Sequence, residues 1–410
     1  MPDLLSIEPE SWKQVTRPTN NHCPSCGHAG LTLFYEVKQI PFYSCLLPDS
    51  RQEALDCPCR DLTLGFCPAC GFISNVLFDP ELVDYSVSYE DQQGFSPTFN
   101  AFAQRIANHL IERYDVRHKS ILEIGCGKGD FLALICDLGQ NQGVGIDPSV
   151  VEGRLPSTTV GKVELIQDYY SERYADYPSN LICCRHTLEH IPATADFLQV
   201  LRRSMCDRLD TIVFFEVPDA TRILRDGVFW DIYYEHCSYF TPGSLARLFR
   251  ANGFEVLDLY REYGEQYLMI EARPVTTPSP TIHPLEESVE QLAQDVLHFA
   301  THIRKKLDNW RQYFAQQQAA GRKVVIWGSG SKCVGFLTTL AIRDQIKYVV
   351  DINPYRQGKF VLSGGAEIVS PEYLQEYQPD EVVLMNPIYE QEVCSSLKAM
   401  GINAPVIPAI

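Results

Sequence analysis

Three groups of residues in this chain have the types and spacing to do chemistry. The first is Glu123-Ile124-Gly125-Cys126-Gly127-Lys128-Gly129, where glycines recur at every second position between an apolar run and a helix-length segment. Glycines let a backbone approach a ligand closely, but seating a pyrophosphate on a helix N-terminus takes the spacing G-x-G-x-x-G. Here the third glycine comes one residue early, and an acid precedes the first. Glu123 would repel a pyrophosphate and suits a cation. The turn therefore reads as a loop for S-adenosylmethionine, whose sulfonium and amino groups are positive and which has no phosphate. Asp147 closes the next apolar run, near the ~20-residue offset at which ribose-binding acids sit, and is the expected acceptor for the ribose hydroxyls. The second group is Phe229-Trp230-Asp231-Ile232-Tyr233-Tyr234-Glu235-His236-Cys237-Ser238-Tyr239-Phe240, dense in aromatic rings around an acid and a histidine. Methylation at oxygen or nitrogen removes at most one proton from an already nucleophilic atom, whereas methylation at carbon needs a base that creates a carbanion or enolate. His236, with an unperturbed pKa near ~6.5, is the candidate base. Glu235 would orient it or balance its charge, and Tyr233 would hydrogen-bond a developing enolate oxygen. The alternative is an aromatic helix packed on a sheet with a capped histidine, and His186 and His190 are rival bases. The third group is the pair of knuckles Cys23-Pro24-Ser25-Cys26-Gly27 and Cys67-Pro68-Ala69-Cys70-Gly71. Four thiolates suit one tetrahedral zinc, and because the protein fills every position the metal is expected to be structural. Cys57 and Cys59 lie between the knuckles and read as buried thiols.

The elements that must position these groups follow from the apolar runs. Strands are expected around Ile121–Ile124, Val144–Asp147, Val163–Asp168, Leu181–Cys184, Thr211–Phe215, Phe254–Leu259 and Gln266–Ala272. The earlier ones alternate with helix-length segments and imply right-handed crossovers and a parallel sheet; the last two are joined by a short turn and should pair antiparallel. The fold class is α/β, with a central class I methyltransferase Rossmann-like domain of seven strands, the last antiparallel. Ligands of such sheets bind beyond the strands' carboxyl ends, which puts Asp168 near the adenine and Arg185, His186 and Glu189 near the reaction centre. The proline-rich stretch Pro274 to Pro284 is a linker, and Leu285 to Gln318 carries apolar residues at helical spacing (Val289, Leu292, Val296, Phe299, Ile303, Leu307, Trp310, Phe314), predicting one long amphipathic helix. Lys323 to Cys333 then repeats the strand, glycine turn and helix pattern, with later strands at Tyr348–Asp351 and Glu381–Met385. Its Gly328-Ser329-Gly330 turn lacks the third glycine of a dinucleotide fingerprint, so bound NAD is not expected there. The expected domains are 1–90, holding the zinc; 91–275, holding the methyl donor, with the boundary near Asp91; and 276–410, the long helix plus a smaller Rossmann-like domain.

Composition narrows the function classes. A length of 410 residues is too great for one core. The 52 acidic against 35 basic residues, a formal charge of -17, argue against gripping nucleic acid through its phosphates. No apolar run is long enough to span a membrane, and Met1-Pro2-Asp3-Leu4-Leu5 lacks the basic and apolar regions of a secretory signal. The expectation is a soluble, cytoplasmic enzyme without nucleic-acid or membrane partners, a monomer or homodimer, whose 15 cysteines read as thiols and metal ligands rather than disulfides, most of them, Cys183, Cys184 and Cys206 included, in the core.

Over nearly its whole length the chain resembles the three-domain nucleotide-sugar C-methyltransferases, on the strength of the knuckles, the donor loop, the second glycine turn and Tyr233-Tyr234-Glu235-His236. The resemblance implies that His236 is the base, with Glu235 and Tyr233 beside it. It implies a further catalytic tyrosine at the end of the zinc domain, Tyr85 or Tyr89 within Asp84-Tyr85-Ser86-Val87-Ser88-Tyr89-Glu90, of which Tyr89 is favoured. It also implies that a substrate nucleotide lies against the C-terminal domain, near Asp351-Ile352-Asn353-Pro354 and Gly358-Lys359 to Ser370-Pro371. The insertion carrying Cys45, Cys57 and Cys59, and the run Cys184-Arg185-His186-Thr187-Leu188-Glu189-His190, depart from the deoxysugar enzymes of that family. The expected reaction is methyl transfer from S-adenosylmethionine to the carbon beside a ketone of a nucleotide-linked sugar. The expected donor contacts are Glu123, Gly125, Gly127, Gly129, Asp147, Asp168 and His186. Alternatives are another small-metabolite acceptor, or a zinc-containing binding module with a vestigial methyltransferase centre.

Overall fold

The computed structural model describes residues 22–83, 85, 89–90, 92–151, 153–155 and 161–410. The expected boundary at Asp91 and the Met1 to Leu5 segment lie outside them. Three sheets organise the chain. The first begins with β1 (Thr32–Pro41), β2 (Cys59–Phe66) and β3 (Ile73–Asn75). The central sheet is built from β4 (Ser120–Ile124), β5 (Gln142–Ile146), β6 (Val163–Ile166), β7 (Leu181–Arg185) and β8 (Ile212–Pro218). The chain then returns to the first sheet as β9 (Ser238–Tyr239) before completing the central one with β10 (Phe254–Glu262) and β11 (Tyr267–Pro274). The third sheet comprises β12 (Val324–Trp327), β13 (Tyr348–Val350), β14 (Glu367–Val369), β15 (Glu381–Leu384) and β16 (Val406–Pro408).

The central order is β10-β11-β8-β7-β4-β5-β6, so all seven strands expected from the apolar runs are present. β4 to β8 pair in parallel, and β11 pairs antiparallel with both β8 and β10. Strands covered on both faces have no reason to alternate, and Leu181, Ile182, Cys183 and Cys184 of β7 are all buried. In the third sheet the order β14-β13-β12-β15-β16 is wholly parallel. Among the described residues no helix is long and apolar enough to cross a membrane.

The long helix runs Val289–Ala319, four residues shorter at its start than the periodicity from Leu285 implies, because the Ser288 side chain accepts the Gln291 N–H and caps it there. Its buried stripe joins two sheets. Phe299 meets Tyr35 of β1 with ring centroids 5.0 Å apart, and Trp310 meets Phe336 of the helix Ser331–Leu340 at 5.1 Å. One apolar cluster therefore contains Phe34 and Val37 of the first sheet, Trp230 and Ile232 of the aromatic segment, and Ile326 and Val349 of the third sheet.

Candidate active site and metal centre

A single cavity of about 910 Å³ opens at the carboxyl ends of the central strands and is lined by the donor loop, by Tyr233 and His236, and by the second glycine turn. In the loop, Gly125, Gly127 and Gly129 all have positive φ (70°, 54° and 86°). A Cβ on Gly125 would fall 1.9 Å from Thr187 Oγ1, so both conformation and space demand glycine there. Asp147, at the end of β5, accepts Gly127 N–H on Oδ2 at 2.8 Å and Ser149 N–H on Oδ1 at 2.6 Å. Asp168 lines the same cavity, with its carboxylate held by Arg173, Tyr174 and the Tyr169 N–H. Glu123 is buried, and among the described residues Oε2 has no hydrogen-bond donor. Burial pushes its carboxyl up to about 8 despite the opposing pull of Arg185. A carboxyl that is protonated while the site is empty, and ionises when a cation arrives, is chemically suited to a sulfonium or ammonium.

His186 is also at the cavity, with Nε2 2.8 Å from Glu216 Oε1 and Nδ1 3.4 Å from Glu189 Oε1. Burial opposes its charge, but Glu216 and Glu189 outweigh burial and hold the imidazole up at about 9. Glu216 is fully buried, and its ionised form is held by Arg185, with Nε 2.6 Å away, and by His186. Arg185 is thus an ion-paired wall of the site, with Nη2 lacking a hydrogen-bond partner among the described residues.

Tyr233, Glu235 and His236 lie in the tight connection between the turn Phe229–Asp231 and β9, not in a helix. His236 N–H donates to Tyr233 O at 3.2 Å, and the two rings stand 4.0 Å apart. Burial, then the neighbouring His190 and His186, depress the His236 imidazole well below its ordinary value, so it is a neutral proton acceptor at neutral pH. Glu235 is fully buried. Its Oε2 accepts the Ser44 N–H at 2.8 Å, the Ser44 hydroxyl, and the Tyr89 hydroxyl at 3.3 Å. The two Ser44 donors come from the segment after β1, which presents a backbone and a hydroxyl group to the buried carboxylate. Glu189 is the carboxylate that shares a cluster with the His236 ring, and sequence reasoning gave it no specific part; its signal was the Leu188-Glu189-His190 run after a strand end. Tyr85 and Tyr89 both line the cavity, with Tyr85 OH 2.7 Å from His190 Nδ1.

The far wall belongs to the third sheet. Asp351, at the end of β13, accepts Ser329 N–H at 2.9 Å on Oδ2 and Asn353 N–H at 2.9 Å on Oδ1. This repeats the contacts of Asp147 at the end of β5. Ser331 at the helix start touches Ser44 Oγ at 2.9 Å and Cys45 Sγ at 3.2 Å. Tyr89 and Glu90 are tied to both sides: Lys128 donates to Tyr89 O at 3.0 Å, Arg154 pairs with Glu90 at 2.6 Å, and Asn353 donates to Glu90 at 3.1 Å.

The knuckles are copies of one turn. Gly27 N–H donates to Cys23 O at 2.8 Å and Gly71 N–H to Cys67 O at 2.9 Å, with φ of 74° and 77°. The four Sγ atoms converge, with Cys23 to Cys70 at 3.6 Å and Cys26 to Cys67 at 3.7 Å. Thiolates bound at ~2.3 Å to a tetrahedral zinc stand about 3.8 Å apart, so these residues fit that ion. Cys23 and Cys67 pack into the core of the central sheet beside Phe240 and Leu245, and Arg247 Nε donates to Cys70 O at 2.9 Å. Cys57 and Cys59, expected to be buried, are only half-buried, with sulfurs 3.9 Å apart, and Cys206, expected in the core with Cys183 and Cys184, is exposed because it lies just beyond the end of the helix Thr194–Ser204.

Residues 99–259 match the family described as a methyltransferase domain, and residues 282–404 match the C-methyltransferase C-terminal domain. C-methyltransferase NovU of Streptomyces niveus is 25% identical over 408 residues, spanning 94% of each chain. Among solved structures, 1,6-didemethyltoxoflavin-N1-methyltransferase of Burkholderia thailandensis is similar at 16% identity, covering 52% of this chain and 96% of its own, with a TM-score of 0.34. An S-adenosylmethionine-dependent methyltransferase structure from Listeria monocytogenes is similar at 16% identity, covering 42% and 99%, with a TM-score of 0.32.

Proposed function

We propose that this chain, which matches a methyltransferase domain and a C-methyltransferase C-terminal domain, is a multidomain C-methyltransferase whose acceptor is the carbon beside a ketone of a nucleotide-linked sugar, with His236 as the base. The observation that carries the reading is the shared cavity. It runs from the donor loop past a buried neutral imidazole to a second glycine turn whose Asp351 is cradled as Asp147 is. That repetition supports one nucleoside on each side, the donor's at Asp147 and the acceptor's at Asp351. When bound, S-adenosylmethionine supplies an electrophilic methyl group. Glu123 offers its carboxylate to that cation, and His186 with Glu216 forms the charged wall beside it. His236 takes the proton from the carbon next to the ketone, and the Tyr233 hydroxyl donates a hydrogen bond to the enolate oxygen. With the donor bound, the enolate carbon would bond to the methyl as the methyl–sulfur bond breaks and its electron pair stays on sulfur, and His236 would keep the proton until product leaves. Holding the two partners in line across one cavity contributes much of the rate, with effective molarities of ~10⁵ to 10⁸ M for well-oriented groups.

We assign one structural zinc to Cys23, Cys26, Cys67 and Cys70, supported by their spacing. The test of the base is solvent exchange. With S-adenosylhomocysteine bound and the donor withheld, the wild-type protein should incorporate deuterium from heavy water beside the ketone of a nucleotide-ketosugar, and the His236→Asn variant should not. Equal exchange in both would remove His236 from the mechanism.

A further inference from the structure

Three potential ligands inside the reaction cavity have no metal assigned to them. Glu189, His190 and His236 each bring one ligand atom to a cluster in which all lie within 4.8 Å of one another. The carboxylate is what makes the cluster more than a chance meeting of rings. Glu189 is 1% exposed, neither oxygen has a hydrogen-bond donor among the described residues, and its cationic neighbour is His186 Nδ1 at 3.4 Å. That single long ion pair leaves lone pairs on both oxygens unused and open to a further cation.

We propose that Glu189, His190 and His236 form a second metal site, for one borderline divalent ion such as Zn²⁺, Co²⁺ or Ni²⁺. Two imidazoles and a carboxylate are a donor set for such ions, and three protein ligands leave a position open to a small molecule. Ligands at ~2.1 Å in a tetrahedron stand about 3.4 Å apart, so the three side chains draw in by no more than about 1.4 Å. The Tyr85 hydroxyl, 2.7 Å from His190 Nδ1, supplies the outer partner that holds a ligating imidazole in one tautomer. The site is chemically distinct from the four-thiolate cluster, which is sulfur only. Its consequence for turnover rests on the base assignment above: an ion on His236 occupies the lone pair that takes the proton, so loading the site inhibits methyl transfer.

The experiment titrates the full-length, zinc-loaded protein with Co²⁺ alone and follows both the visible spectrum and turnover. The expected result is one further equivalent bound with ligand-field bands but no thiolate charge-transfer band. Turnover should fall in parallel, and EDTA at a level that leaves the zinc in place should restore it. Glu189→Gln and His190→Asn, checked for retained zinc and circular dichroism, should each lose the bands. Absence of the bands in the wild-type protein, or their persistence in both variants, overturns the site. Bands accompanied by unchanged or increased turnover would uphold the site and overturn His236 as the base.

Discussion

His236, the proposed base, is suited to that part by what surrounds it. Its burial and the nearby His190 and His186 keep the proton off, so the form that accepts a proton is present across the neutral range. Turnover should therefore hold as pH falls through ~6.5, its acid limb lying lower; a limb centred at the ordinary imidazole value, measured on kcat, would contradict the assignment. Replacing His236 by Asn should lower kcat by about 10²–10⁴-fold while calorimetry shows donor affinity within about twofold. Glu123 leads to a stability prediction with a definite sign. Its folded value, about 8, is raised above the unfolded value of 4.5. The stability from its proton is fully present below that unfolded value and is lost as pH rises through the folded one. Glu123→Gln, which mimics the protonated form, should lose less Tm than wild type between about pH 6 and about pH 9 in the absence of ligand. Parallel losses in the two proteins would count against the burial argument. The donor loop and knuckles are legible in sequence because their geometry is local: a glycine every second residue, a C-x-x-C followed by glycine. Ser44 on Glu235 is not, since the two are 191 residues apart and no local pattern records a contact of that range. The same holds for Glu189 beside His236, where the burial that decides protonation exists only after folding.

At the scale of elements, the two-residue strand β9 matters most. It pairs Tyr239 with Ile73 and Ser238 with Ser74, so the turn carrying the proposed base ends in the sheet that follows the second knuckle. Two residues carry no period that a sequence reading can detect, whereas the seven central strands and the long helix announce themselves by apolar runs and spacing. Zinc should thus govern the site as well as the first sheet. Metal analysis is expected to return about one zinc per chain, and its removal should lower Tm and abolish turnover together; a metal-free protein with full activity would contradict this. Phe299 bridges the long helix and β1, and truncation to Ala should cost about 3–5 kcal/mol in denaturant unfolding. A loss under about 1 kcal/mol would show that the helix does not depend on that contact.

At the scale of the molecule, the sequence leads to an expectation of three parts but carries no sign of their interleaving. One apolar cluster draws on all three parts, and the Tyr89–Glu90 strap is bonded to the donor side through Lys128 and Arg154 and to the third sheet through Asn353. Pieces that share a core unfold together, so scanning calorimetry of the zinc-loaded protein should show the first and third sheets melting in one transition; well-separated transitions would contradict the shared core. The same interleaving closes one cavity around two glycine turns, which is the basis for reading a donor on one side and a nucleotide-linked acceptor on the other. The most direct measurement is carbon NMR of the product formed from donor labelled with ¹³C in its methyl group and a panel of nucleotide-ketosugars. The account predicts a labelled methyl showing one-bond coupling to a sugar carbon in material enriched at the position beside the ketone. A labelled methyl bound to oxygen or nitrogen, or no transfer to any nucleotide-ketosugar while another small metabolite is methylated, would contradict it.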